Sequence, residues 1–287
     1  ALKVNSPYDG HLIAEVDMND ASQAENVLEM AYRLAKDLDK ALPAYKRIEI
    51  LEKTADLVEA RSEEFACQAA EEGGKPLADS RVEIARGVEG IREAVKCISQ
   101  LTGHEIPMNL TPSSMNRMAL TIREPIGVVM AVSAFNHPFN LIVHQVIPAV
   151  AVGCPVIVKP AGSTPLSCLS LVKCLYESGL PEEWCQALIC ENNIAEKILT
   201  DSRVSFFTFI GSGAVGWKLH SKLAPGTRCA LEHGGAAPVI VDYDADLEDS
   251  LPLLAKGGFY HAGQVCVSVQ KVYVHESIAD EFSRELV

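Results

Sequence analysis

Five short, strongly apolar runs, the first of them without a single polar member, constrain the fold of this chain more than any other feature. They lie at residues 126–132, 155–158, 187–190, 204–210 and 238–241. A strand with one wet face alternates polar and apolar residues, whereas a run with no polar member suits a strand covered on both faces. Such strands alternating with helices predict an α/β protein built on a parallel sheet with right-handed crossovers. Between the second and third runs the helix is well marked. Ser163 or Thr164 can cap it, Pro165 suits its first position, and Gly179 with Pro181 ends it.

The first third of the chain reads as helical instead. Asn19-Asp20 can cap a helix over 21–38, with Ala24, Val27, Leu28, Ala31 and Leu34 along one side. A longer helix runs from Pro43 to Gly73-Gly74, where Ile48, Leu51, Ala55, Leu57 and Val58 form its stripe and Pro76 lies just beyond. A third covers 77–101. Loose alternation over 115–123 predicts a strand.

Composition excludes several classes of function. A net charge of −13 argues against nucleic acid and anionic membranes as partners. Charges such as Lys159, Glu177 and Lys218 interrupt the apolar segments, so no transmembrane span is expected, and residues 1–10 do not read as a signal peptide. The nine cysteines are odd in number, scattered and free of Cys-x-x-Cys pairs, so neither a disulfide scaffold nor a metal site is expected. Most are read as small buried residues of a reducing, cytoplasmic compartment.

Four segments carry chemistry. Gly263-Gln264-Val265-Cys266 offers a thiol, and Leu231-Glu232-His233-Gly234-Gly235 a carboxylate able to activate water, the two requirements of a covalent acyl-transfer cycle. Taken alone, a cysteine in an apolar segment is usually structural, and a lone glutamate is usually a surface or capping group. Phe135-Asn136-His137-Pro138-Phe139 and Val158-Lys159-Pro160-Ala161 complete the set. In this order and spacing the four resemble the aldehyde dehydrogenase superfamily, over the whole chain.

The resemblance implies oxidation of an aldehyde to an acid with NAD or NADP, through a thiohemiacetal and a thioester on Cys266. It implies that Asn136 donates to the oxyanion, that Glu232 activates the hydrolytic water and that Lys159 meets the adenosine ribose. Many NAD-preferring members carry a glutamate three residues after that lysine, but this chain has Gly162, which admits NADP as well as NAD. Phe209-Ile210-Gly211-Ser212 resembles the family's turn facing the cofactor pyrophosphate, and with Gly216 it also matches the G-x-G-x-x-G fingerprint. That fingerprint belongs in the first strand-to-helix turn of its sheet, so Glu232 is not taken as its ribose acid. His144, eight residues after Asn136 and on the same side if both are helical, stands where succinate-semialdehyde members place an arginine for the substrate carboxylate. More often such a residue is an ordinary, satisfied helix histidine.

Two further departures from the family are His233, where leucine is commoner, and Cys190-Glu191-Asn192-Asn193, where many members have a Gly-rich turn. The expected organisation is a helical part of the cofactor-binding domain over 1–110 and a bridging or oligomerisation strand over 111–124. A Rossmann-like cofactor domain over 125–234 and the start of a second α/β catalytic domain over 235–287 follow. Family members continue past the point matching Val287, so a longer protein forming a homodimer or homotetramer is expected, acting on a small or anionic aldehyde. The alternatives are an enzyme that passes the acyl group to coenzyme A, which usually lacks the glutamate at 232, and a non-catalytic binding or structural protein on the same fold.

Overall fold

The computed structural model describes residues 1–287. The chain opens on an antiparallel hairpin of β1 (Leu2–Asn5) and β2 (Leu12–Val16), which the helical reading of this region missed. Only Val4 of its strands is fully buried, so no apolar run announced it. Helix α1 (Ala21–Lys36) starts at Asp20, whose carboxylate accepts from the Gln23 N–H at 2.8 Å while the Gln23 side chain accepts from the Asp20 N–H. This reciprocal cap satisfies two donors that a bare helix end would leave unpaired.

The long helix expected from Pro43 is two, α2 (Ala44–Ala60) and α3 (Ser62–Gly73). The break falls at Arg61, whose guanidinium pairs with Glu177 at 3.0 Å. Its φ of −107° leaves the helical range. Gly74 ends α3 with a φ of 61°, a conformation that a side chain would strain, and a Cβ there would meet Pro7 of the hairpin at 2.5 Å. Helix α4 (Leu77–Ile98) stops three residues short of expectation. The strand expected over 115–123 shrinks to β4 (Ala119–Leu120), paired with β3 (Glu105–Ile106) in a short ladder. Around it Leu110, Met118, Leu120 and Ile122 are exposed.

The strands of the parallel sheet then appear in turn. They are β5 (Val128–Val132), β6 (Val156–Lys159), β7 (Cys185–Ala187), β8 (Val204–Gly211) and β9 (Arg228–His233). All are parallel, in the order β7-β6-β5-β8-β9. Helices α5 (Asn140–Val152), α6 (Leu166–Glu177), α7 (Asn192–Leu199) and α8 (Gly213–His220) connect them. Every residue of β6 is buried, as its apolar run demands. The run at 187–190 forms a strand slightly earlier than expected. After Ala187 only the Leu188 N–H still bonds β6, at the Val158 carbonyl, before the chain turns away. Strand β9 escaped the apolar criterion because it is an edge, with Arg228, Ala230 and Glu232 exposed.

One core lies between the sheet and α2 to α6, with Leu51, Ile84, Phe139 and Val158 among its members. A second lies on the other face, where Leu28 of α1 and Ile198 of α7 meet Met130 and Phe207. Burying one such side chain contributes about 1.5–3 kcal/mol, so the two layers account for the sheet's strongly apolar strands. Beyond β9, β10 (Val239–Val241) and β11 (Val272–Val274) pair in parallel around α9 (Leu247–Phe259), and α10 (Ala279–Leu286) follows. No helix is long and apolar enough to cross a membrane.

Candidate active site

In an open parallel sheet, ligands bind outside the carboxyl ends of the strands, where the strand order reverses. Here β5, β6 and β7 run outward one way and β8 returns beside β5, so the reversal lies between β5 and β8. The bend carrying Asn136 follows β5, and Gly211-Ser212 follows β8. Lys159 ends β6 in register with Val132, and Glu232, next to last in β9, lies opposite Ile210. The G-x-G-x-x-G match sits after the fourth strand of the sheet in chain order, as its rejection as a first-turn fingerprint requires.

The side expected of His144 relative to Asn136 needs correction. Asn136 lies in the bend before α5 and only His144 is helical, so the two-turn relation does not hold. The cap expected at Ser163 or Thr164 also differs. Pro165 is the capping residue of α6, the Thr164 hydroxyl donates to the Phe135 carbonyl at 3.2 Å, and the first-turn N–H groups of Leu166 and Ser167 donate to the carboxylate of Glu72 on α3, both at 2.8 Å. Burial pushes the Glu72 carboxyl up, and its bonds to Ser167 and Leu166 pull it back. Helix α5 is treated the same way: Glu83 of α4 accepts from the N–H groups of Phe139 and Asn140 at 2.9 Å. Anions at helix N-termini contribute up to about 2 kcal/mol in partly buried sites.

Helix α8 has no such carboxylate, and Ser212 makes no side-chain cap. Its first N–H groups therefore remain donors for an external anion, which suits a cofactor phosphate. Beside it the imidazole of His233 fills the space that a Cβ on Gly216 would enter, 2.2 Å from Nε2. The ring stands edge-on to Phe209 and Trp217. Gly216 thus makes room for His233, which explains how a histidine is accommodated at that position. Lys159 is buried, which pulls its ammonium down, while Cys190 and Glu191 pull it up. The unusual turn after β7 therefore sets a carboxylate near the lysine. Around Gly162 a side chain would meet open space.

The thiol segment follows α9. His261 and Ala262 hold left-handed conformations, φ 51° and 56°, at a cost of roughly 1–2 kcal/mol each for residues with a Cβ. The His261 N–H donates to Asp79 of α4 at 2.9 Å. The Val265 N–H donates to the Ser268 hydroxyl at 3.1 Å, and the Ser268 N–H returns to the Val265 carbonyl at 3.0 Å, closing a small loop around Cys266. Cys266 itself is exposed.

Two contacts draw the predicted segments together. The Gly235 N–H, three residues past Glu232, donates to the Cys266 carbonyl at 3.0 Å. The ring of His137, next to Asn136, lies 3.9 Å from that of His261. Burial, then the charges of His261, Lys75 and Arg86 among others, pulls His137 down to about 3. Burial, Lys75 and Arg86 bring His261 to about 4. His144 is also pulled down, by burial and then Arg86, with Glu232 opposing. Both His137 and His261 are therefore neutral near pH 7, as burial beside cationic groups favours. Sequence reasoning missed Lys75, Glu83, Arg86 and His261.

A model of the aldehyde dehydrogenase family matches residues 1–287. The 3-sulfolactaldehyde dehydrogenase of Priestia aryabhattai is 41% identical over 254 residues, which are 88% of this chain and 53% of that protein. The glyceraldehyde-3-phosphate dehydrogenase GapN of Methanocaldococcus jannaschii, solved with NADP, superposes with a TM-score of 0.92 at 32% identity, covering 100% of this chain and 62% of that one. Aldehyde dehydrogenase 21 of Physcomitrella patens, solved with its product succinate, gives 0.91 at 34%, covering 99% and 59%. The chain thus spans about half to three-fifths of the length of these proteins. Matched from first residue to last and superposing throughout, it belongs to the aldehyde dehydrogenase family.

Proposed function

We propose that the full-length protein oxidises a small anionic aldehyde to its carboxylic acid with NAD or NADP, through a thioester on Cys266. The reading is carried by how the segments of Asn136, Glu232 and Cys266 meet, through the His137–His261 ring contact and the Gly235–Cys266 bond. The Cys266 thiolate adds to the aldehyde carbon, and the carbonyl electron pair moves onto oxygen. There the Asn136 amide and the Cys266 backbone N–H take up the charge. NAD(P), when bound by Lys159, the Gly211-Ser212 turn and the first turn of α8, supplies the acceptor for the hydride leaving that carbon, so that a thioester remains. Glu232 takes a proton from water as the water oxygen attacks, the C–S bond breaks with its pair on sulfur, and the acid departs.

The experiment is an aldehyde panel with NAD and NADP on the full-length protein. Reduced cofactor and free acid are expected. No reduction with any aldehyde would leave the fold in a binding role, and an acyl thioester formed only with coenzyme A would favour the acylating alternative, which Glu232 speaks against.

The anionic class rests on Arg86 of α4, a guanidinium whose charge, like that of Glu232, reaches the buried imidazole of His144 on α5. It is also supported by the sulfonate and succinate that two of the similar proteins handle. A hydrogen bond to a charged group contributes about 1.5–3 kcal/mol, so Arg86→Ala should raise KM for succinic semialdehyde tenfold or more. KM for propionaldehyde should stay within about twofold. Equal effects on both aldehydes would remove Arg86 from substrate binding.

Cofactor choice turns on Gly162, whose surroundings admit a side chain. A glutamate there should accept from ribose hydroxyls and repel a 2′-phosphate. Gly162→Glu should then raise the NAD-over-NADP ratio of kcat/KM about tenfold, less so in high salt. An unmoved ratio would hand that role to Glu191, the carboxylate already near Lys159.

A further inference from the structure

The acid, thiol and amide of the proposed cycle sit on three separate segments, and the cycle uses none of the buried charges beneath them. Lys75 lies between α3 and α4 with its side chain 1% exposed, and Glu83 of α4 with its side chain fully enclosed. The Lys75 ammonium pairs with one Glu83 oxygen. The other Glu83 oxygen accepts from Phe139 and Asn140, at the start of the helix that follows Asn136. The same ammonium lies 3.4 Å from Nδ1 of His261, five residues before Cys266. His261 is fully buried, its Nε2 has no hydrogen-bond partner, and its left-handed backbone is tied to Asp79.

A buried ion pair is poor value for stability, because apolar groups of the same volume usually do as well. What it provides is geometry, since an enclosed ammonium tolerates few positions for its partners. Here one partner fixes the loop of the oxyanion donor and the other fixes the loop of the thiol. We propose that Lys75 is a positioning residue for the acylation step, setting the Asn136 loop against the Cys266 loop through Glu83 and His261. This rests on the reading of Cys266 and Asn136 given above. It adds a group that touches neither substrate nor cofactor.

The test uses the full-length protein and the pre-steady-state burst of reduced cofactor, which reports acylation. Misplacing reacting groups by about an ångström can cost on the order of a hundredfold, so Lys75→Met should slow the burst by roughly that factor. The KM and binding of the cofactor should be unchanged, and Lys75→Arg, which keeps a buried cation with donors, should recover most of the burst. Should Lys75→Met not fold, His261→Phe keeps a ring against His137 but removes the acceptor, and the same loss is expected. A burst within threefold of the parent in whichever variant binds cofactor normally overturns the positioning role. So does a loss shared equally by Lys75→Arg and accompanied by weaker cofactor binding, which marks general loosening. If Cys266→Ala still oxidises aldehydes, the reading of the cycle and this proposal fall together. A parent that depends on Cys266 but is indifferent to Lys75 overturns this proposal alone.

Discussion

Replacing Cys266 with alanine should abolish aldehyde oxidation by the full-length protein while leaving cofactor binding nearly intact. In the proposed cycle the thiol sulfur is the atom that bonds the substrate carbon, so its loss leaves no group to carry the acyl intermediate. Its surroundings favour the change as a clean one. Cys266 is exposed and its loop is closed by backbone and Ser268 bonds that do not involve the thiol. Titration with NAD and NADP, followed by cofactor fluorescence, measures the binding, and acid production measures the turnover. Oxidation at a tenth of the parent rate would remove Cys266 from the mechanism.

Glu232→Gln should separate the two halves of the cycle. Acylation does not need the carboxylate in this scheme, so the first turnover should still release a burst of reduced cofactor. Deacylation does need it, and general bases contribute typically 10²–10⁴-fold, so the steady state should slow by at least about a hundredfold. A rapid-mixing trace distinguishes the outcomes. A missing burst would assign Glu232 to thiol activation, and unchanged turnover would make it structural. Glutamine keeps the length and polarity of the side chain at the exposed end of β9, so the edge strand should be undisturbed.

The central strands were legible because cover on both faces leaves a sequence few polar choices, with only Ser205 and Thr208 inside the run that became β8. The runs at 126–132 and 204–210 became β5 and β8 with small shifts at their ends. Strands that are edges or short ladders left no such mark. The β1–β2 hairpin and β9 were missed, and β4 was overextended. The break at Arg61 was hidden because no glycine or proline marks it, and the Glu177 that pairs with it lies more than a hundred residues away. For the site, the segments of Asn136, Glu232, Lys159 and Cys266 were found from their resemblance to a family. What lay out of reach was their support. Nothing local in the sequence distinguishes Glu72, Glu83 or Lys75 from surface charges, because their partners come from helices and loops far along the chain.

The two carboxylate caps also bear on how the molecule must come apart. Glu72 and Glu83 belong to α3 and α4, whereas the helix ends that they close belong to crossovers of the parallel sheet. Peeling the early helices from the sheet would remove both caps and bare four main-chain donors at once. Each lost cap costs up to about 2 kcal/mol, so a state with one layer melted and the other intact is disfavoured. The early helices and the sheet form a single cooperative unit. A cut or insertion in the exposed ribbon around β3 and β4 therefore would not yield two independent folding pieces, even though that ribbon is where the chain looks easiest to divide.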